Sequence, residues 1–313
     1  MSLRAKPPSL SALLLAACLA WGIAVASFDR FPLSSQLYPA SISSTVTDDK
    51  WLNFVQTFQA HNAKYEGWCK SKLLETISST PSTSDAGLGS QFQQDLYLIR
   101  NIFPSLVTGN RKGFYIDSGA NHAEALSNTL FFDVCLGWSG LCVEPNPEYH
   151  DEITVKRTCV LVPECISDET KEQSFNFFGE AGHVTSSDDS NSRQVMCRTL
   201  DEMLAKYADG RTFIDLWSLD VEGYEMTILH SINWSKLNFN AILIETFWLS
   251  DRVVDYFMTE LGFAKLQQLA IDSLYVKLDQ STSWRPPRWN EIWQEEKQFR
   301  NEMRAKGKLN AEN

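Results

Sequence analysis

Gly113-Phe114-Tyr115-Ile116-Asp117-Ser118-Gly119-Ala120-Asn121-His122-Ala123, with Gly140-Leu141-Cys142-Val143-Glu144-Pro145-Asn146-Pro147 some twenty residues on, reads as strand, turn, helix, strand. Phe114 to Ile116 form a short apolar run stopped by Asp117-Ser118-Gly119. Ala123, Leu126 and Leu130 then recur at helical spacing, with Gly137 as a stop, and Leu141 to Val143 make a second run ended by Glu144. A right-handed strand-helix-strand unit brings the first turn and the end of the second strand together at the carboxyl edge of a parallel sheet. Such an edge holds nucleotides: Gly119 allows close backbone approach, a helix N-terminus favours polar or anionic groups, and Glu144 can accept hydrogen bonds from ribose hydroxyls.

The dinucleotide pattern Gly-x-Gly-x-x-Gly is absent, because Asn121 and Ala123 stand where further glycines would make room for a pyrophosphate. A ligand without a pyrophosphate fits better. S-adenosylmethionine is one, with Asp117 and nearby backbone available to the ammonium of its amino-acid tail. The competing reading is that Asp117 and Gly119 build a tight turn in some other α/β enzyme.

Composition bounds the rest. A chain of 313 residues, 43% of them hydrophobic, can bury a core of one domain of about 200 residues with flanking segments. A net charge of −11 argues against nucleic acid as a partner, since phosphate binding needs a basic surface. Outside Cys18 there are six cysteines: Cys69, Cys135, Cys142, Cys159, Cys165 and Cys197. They fit either three disulfides in an oxidising compartment or six buried thiols. No Cys-x-x-Cys or His-x-x-x-His pair suggests zinc.

Five segments are expected: a cytosolic tail over 1–9, a signal peptide or signal-anchor helix over 10–27, a stem over 28–90, a folded domain over 91–278 and a helical tail over 279–313. Leu10 to Ala26 carries no charge and follows Arg4 and Lys6, while Ala24-Val25-Ala26 offers a cleavage site. The expected location is therefore the secretory pathway, either as a single-pass type II protein of the endoplasmic reticulum or Golgi membrane with a lumenal domain, or secreted after cleavage. Phe28 to Ser90 is rich in Ser and Thr, with one helix over Trp51 to Trp68. The domain opens with a helix through Phe92, Leu96, Ile99 and Phe103.

Beyond Glu144, Thr158 to Val162 reads as a third strand, and the polar turn Ser167-Asp168-Glu169 faces the same crevice. Phe175, Phe177 and Phe178 suggest an inserted strand. Gly182 to Arg193 is a solvated loop or a lid. Thr199-Leu200-Asp201-Glu202 is a capping box for a helix ending at Gly210. In Leu219-Asp220-Val221-Glu222-Gly223-Tyr224-Glu225 a strand ends in an acidic turn and a helix follows. Asp220 is the candidate general base, with capping of that helix as the plainer role. Ala241 to Ile244 is a fifth strand ending at Glu245; Glu222 or Glu245 would orient an acceptor or bind a divalent ion, and metal use stays open. Ala264 to Leu269 and Ser273 to Leu278 read as a closing antiparallel hairpin. Trp289, Ile292 and Trp293 suggest a docked tail helix, Asn233-Trp234-Ser235 is a glycosylation sequon, and His122 sits beside the first turn.

From about Ser90 to Leu278 the chain resembles the FkbM-type S-adenosylmethionine-dependent methyltransferases. The resemblance rests on Gln94-Asp95, Tyr115 to Asn121, Leu126-Ser127-Asn128-Thr129-Leu130, Gly137 to Pro147, Ile166-Ser167-Asp168 and Leu219 to Glu225, in that order. It departs at His122-Ala123, where the family commonly has an acidic residue or Asn, then Gly. The resemblance implies a class I methyltransferase fold, Rossmann-like, whose seven-stranded sheet is mostly parallel with helices on both faces. It implies cofactor binding by Asp117, Ser118, Gly119, Ala120, Asn121, Glu144, Pro145 and Asn146, with Ser167 and Asp168 alongside. The implied activity is O-methylation of a hydroxyl on a sugar, glycan or other small metabolite, with Asp220, Glu222 and Glu245 as catalytic candidates. The alternative is a catalytically inactive, membrane-tethered binding or trafficking protein of the secretory pathway.

Overall fold

The computed structural model describes residues 48–75, 88–109, 111–177, 179, 182–185, 192–278 and 298. The leader at 10–27, the loop at 186–191 and the tail helix expected around Trp289 lie outside the described residues. No helix among the described residues is long and apolar enough to cross a membrane.

Two sheets form. The larger has seven strands: β1 (Phe114–Ser118), β2 (Ser139–Val143), β3 (Val160–Val162), β8 (Phe213–Leu219), β9 (Asn238–Glu245), β10 (Phe263–Leu269) and β11 (Asp272–Lys277), in the spatial order β10-β11-β9-β8-β1-β2-β3. β3, β2, β1, β8 and β9 pair in parallel, whereas β11 runs antiparallel to both β9 and β10. The order reverses between β1 and β8, so the connections leaving these strands diverge and open a crevice at their carboxyl ends.

Strand periodicity explains the two-faced core. Tyr115, Cys142, Leu216, Leu243 and Leu274 belong to one buried cluster, and their neighbours Ile116, Leu141, Trp217, Ile244 and Tyr275 to another. The second cluster is covered by α6 (Leu200–Tyr207), α7 (Glu225–Ser231) and α8 (Asp251–Glu260). Thr199 caps α6, its side chain accepting the Glu202 N–H, as the capping box requires.

The first cluster is covered largely by residues upstream of the sheet, which corrects the expected domain start at residue 91. α1 (Asp48–Thr57) and α2 (Glu66–Glu75) bury Trp51, Val55, Cys69 and Leu73 against it, joined by α3 (Gln94–Tyr97), which continues as a π turn over Leu98–Ile102, and by α4 (Pro104–Thr108). A disulfide joins Cys69 on α2 to Cys135. Residues 48–75 are therefore core, not stem. Two further disulfides, Cys142–Cys159 and Cys165–Cys197, pair the remaining cysteines, which decides for bridges over buried thiols.

The helix expected from Ala123 also needs correction. Residues 120–129 form irregular backbone, with Leu126 at φ +61°, and only Phe131–Cys135 is helical, as a π turn. The Ser127 hydroxyl accepts the N–H groups of Thr129 and Leu130, acting as a cap that starts the helix there. No helix N-terminus thus stands over Gly119.

Between β3 and β8 the chain makes a four-stranded sheet, ordered β4 (Cys165–Ile166), β7 (Ser192–Arg198), β5 (Lys171–Asn176) and β6 (His183–Val184). The inserted strand expected around Phe175 is β5. The expected loop from Gly182 contains β6 and the start of β7. α5 (His150–Lys156) links β2 to β3.

Candidate active site

At the carboxyl ends of β1, β2 and β8 lies a cleft of about 550 Å³, counting the space open to solvent. The main sheet contributes Gly119, Asn121, Glu144, Pro145, Asn146, Asp220 and Glu222; the small sheet adds a wall from Cys165, Ile166, Phe175 and Val184, and Tyr224 completes it. Its lining sets a few converging polar groups, Asn121, Glu144, Asn146 and Asp220, among apolar side chains, the make-up of a small-molecule site.

Gly119 is needed for an unforeseen reason. Its φ is +80°, and a Cβ there would lie 1.9 Å from the carbonyl oxygen of Asp220. The turn after β1 and the turn after β8 touch at this point, so the glycine serves their contact. From there the Gly119 and Ala120 N–H groups reach the Val143 carbonyl. The Asn121 N–H donates to Glu144 Oε2 at 2.8 Å, and the Asn146 N–H donates to Oε1 at 2.7 Å. Two backbone donors fix the Glu144 carboxylate and leave lone pairs for a ligand. Burial still pushes its pKa up to about 7, against those two hydrogen bonds. Asn146 is 2% exposed and its amide nitrogen has no partner. A buried donor beside the cleft without an acceptor is costly unless a ligand supplies one.

Asp117 does not enter the cleft. It alternates with Ile116 and Ser118 and so projects to the Tyr115 face, where it accepts from the Thr129 and Ser127 hydroxyls at 2.5 and 3.3 Å. Beneath it Arg157 is fully buried, with Nε 2.6 Å from Asp133 Oδ2 and Nη2 2.7 Å from the Thr129 hydroxyl, and the Tyr115 hydroxyl donates to Asp133. Asp117 thus belongs to an internal ion network. Burial raises its pKa and Arg157 opposes that rise.

Ser118 and Ala120 are also buried outside the cleft, and Ser118 accepts the Trp217 indole N–H. Ser167 is bonded to Gln173 and Asp168. Asp168 reaches the cleft only through Tyr224, whose hydroxyl donates to it at 3.4 Å. His122 packs against Tyr149, 3.5 Å from Glu152, away from the cleft lining.

Asp220 faces the cleft at the end of β8 and leads into an acidic group. Its carboxyl, that of Glu225 at the start of α7 and that of Glu245 at the end of β9 each bring an oxygen within 4.8 Å of the others. Asp272 is the cross-strand partner of Glu245 and accepts a hydrogen bond from Gln94. Burial and mutual repulsion raise the pKa values of Asp220, Glu225 and Glu245, and burial pushes Asp272 up to about 7. Glu222, at φ +55°, accepts the Trp248 indole N–H at 3.3 Å. Glu245 lies behind Asp220 and does not line the cleft itself.

Sequence reasoning did not single out Asn146 for its amide, Glu225, Asp272, Phe175 or Tyr224 as site residues. Glu225 stood in the acidic motif already; the others come from packing between elements distant in the chain. A search of curated proteins finds no match to the chain. Residues 117–265, running from the last turn of β1 into β10, match the family model described as the methyltransferase FkbM domain. Over those residues the chain is similar to the methyltransferase domain of the FkbM family.

Proposed function

We propose that the domain is an S-adenosylmethionine-dependent O-methyltransferase acting on a hydroxyl of a sugar, glycan or small metabolite. The observation that carries the reading is the gathering of Glu144, the partnerless amide nitrogen of Asn146, Gly119 and Asp220 in one cleft. Glu144 would accept hydrogen bonds from ribose hydroxyls, and Asn146 would donate to an acceptor atom of the nucleoside. Phe175 and Ile166 would lie against the base. Asp117 is engaged elsewhere, so the tail of the cofactor falls to Gly119, Asn121 and the backbone around them.

When bound, S-adenosylmethionine supplies a methyl group made electrophilic by its sulfonium. The chain's tasks are then to align an acceptor oxygen, exclude water and receive one proton. Asp220 is placed to take the hydroxyl proton as the oxygen gains the methyl carbon, a contribution typically of about 10²- to 10⁴-fold. Glu222, held by Trp248, would orient the acceptor.

Three disulfides, with no cysteine from 69 to 197 left unpaired, support work in an oxidising compartment. The exposed Asn233, whose side chain already meets the Ser235 hydroxyl, would be glycosylated there. Attachment to the membrane through the segment 10–27, or secretion after its cleavage, belongs to the same proposal.

Calorimetry with S-adenosylmethionine and its demethylated product tests the reading. Binding by the wild type and loss in Glu144→Ala is expected, and no heat at millimolar cofactor would end it. If Asp220→Asn and Glu144→Ala both leave the protein's cellular role intact, the domain is a non-catalytic binding protein instead.

A further inference from the structure

Three carboxylates meet where β8, α7 and β9 converge, and the protein leaves two of their oxygens without hydrogen-bond partners. Glu225 is fully buried and Glu245 is 4% exposed, yet Oε2 of each is unpartnered. The other oxygen of Glu225 is committed, accepting the N–H groups of Val221 and Gly223 at 2.9 and 3.1 Å. That anchoring fixes the acidic turn beside Asp220 and Glu245, whose carboxylates each bring an oxygen within 4.8 Å of one from Glu225. Asp220 and Glu245 bring carboxylate oxygens within 4.8 Å of each other, an arrangement between two acids that calls for a proton or a cation between them. The charges acting most strongly on all three are other carboxylates: Asp272, Asp117 and Glu222 as well as one another.

We propose that Asp220, Glu225 and Glu245 bind one hard divalent cation at the inner edge of the cleft. The donor set is all oxygen, which selects for magnesium, manganese or calcium over zinc or copper. The spacing suits it, because oxygens on opposite sides of an ion bound at about 2.1 to 2.4 Å stand about 4.2 to 4.8 Å apart. Every donor pair here falls within 4.8 Å. Gln94 holds Asp272 by its side-chain amide and so keeps a fourth acid beside the site without making it a ligand.

The position gives the ion a task in the reaction proposed above, on which this part of the inference rests. Asp220 borders both the ion and the cleft. One of its oxygens can ligate the cation while the other takes the acceptor's proton. An acceptor hydroxyl on the cleft side of the ion would be made more acidic and fixed in place. Binding of the cation itself does not depend on methyl transfer.

The test uses the folded protein after dialysis against a chelator, with Mn²⁺ as the probe and the paramagnetic signal of free Mn²⁺ as the readout. One Mn²⁺ per chain is expected, with a dissociation constant on the order of 10⁻⁵ M and competition by Mg²⁺ or Ca²⁺. Glu245→Gln keeps the shape and removes one charge; it should weaken Mn²⁺ at least tenfold and abolish the rise in Tm that Mn²⁺ gives the wild type. Should that variant not fold, Asp220→Asn replaces it with the same expectation. Absence of a Mn²⁺ site in the wild type, or equal affinity in wild type and folded variant, overturns the proposal. Calorimetry with S-adenosylhomocysteine is run alongside without metal. Lost cofactor binding with an intact Mn²⁺ site would sink the transferase reading and leave the cation site standing.

Discussion

The Glu144 carboxyl should make the stability of this protein fall as pH rises through neutrality. It is 4% exposed, and burial raises its pKa from 4.5 to about 7. Between those values the folded chain holds a proton that the unfolded chain has lost, so stability declines with increasing pH. Carrying the group from neutral to ionised costs the folded state about 3 kcal/mol, taking 1.36 kcal/mol for each unit between the two pKa values. The penalty is absent below about pH 4.5 and fully present above about pH 7.5. Other buried acids at this edge slope the same way, so the informative quantity is a difference between wild type and Glu144→Gln. Gln keeps an acceptor for one of the two N–H groups, of Asn121 or of Asn146, and cannot ionise, so its loss of a hydrogen bond is the same at both pH values. Urea unfolding followed by circular dichroism at pH 5 and pH 8 gives both stabilities. Passing from pH 5 to pH 8, the wild type should lose about 2.5 kcal/mol more than the variant does, a small part of the penalty being present at pH 5 already. Parallel changes in the two proteins would refute the assignment of this titration to Glu144.

Three other outcomes are expected. Gly119→Ala places a methyl group 1.9 Å from the Asp220 carbonyl oxygen at φ +80°, and should cost about 2 to 4 kcal/mol in chemical denaturation, because the left-handed strain of about 1 to 2 kcal/mol comes on top of a forced separation of two turns. Arg157→Met leaves Asp133 buried without its cation and should cost about 3 to 5 kcal/mol, much of it recovered when Asp133→Leu is added, as thermal unfolding of the single and double variants will show. Cys69→Ala with Cys135→Ala opens a loop of sequence separation 66 and should cost about 4 kcal/mol on chain-entropy grounds, read from the same unfolding curves.

Much of the architecture was legible in local pattern. The runs at Phe114, Leu141 and Leu219 each end in a polar turn, and the alternation along them was enough to place a parallel sheet and its functional edge. The capping box at Thr199 located a helix start because its chemistry is local. What the sequence hid were matters of direction. Asp117 was legible as a strand-end acid, but its parity turns it toward Arg157, a residue forty positions away whose pairing leaves no local trace. The helix expected from Ala123 failed because Ser127, read only as part of a motif, spends its hydroxyl on capping. Asn146 and Glu225 were in plain view, and only packing revealed that each carries an atom with nothing to bond. Serine and threonine content made residues 28–90 look like stem, while a few large apolar side chains at Trp51, Val55 and Leu73 decided otherwise for residues 48–75.

The helices at 48–75 also decide how this protein can be handled. The stretch that matches the family model starts at Asp117, yet the greasy side of the sheet there is roofed by α1 and α2 and riveted through Cys69. A recombinant fragment cut to the family boundary would bare that surface to water and clump. Conversely, a protease that severs the intervening chain anywhere between α2 and α3 would release nothing until a reductant is added.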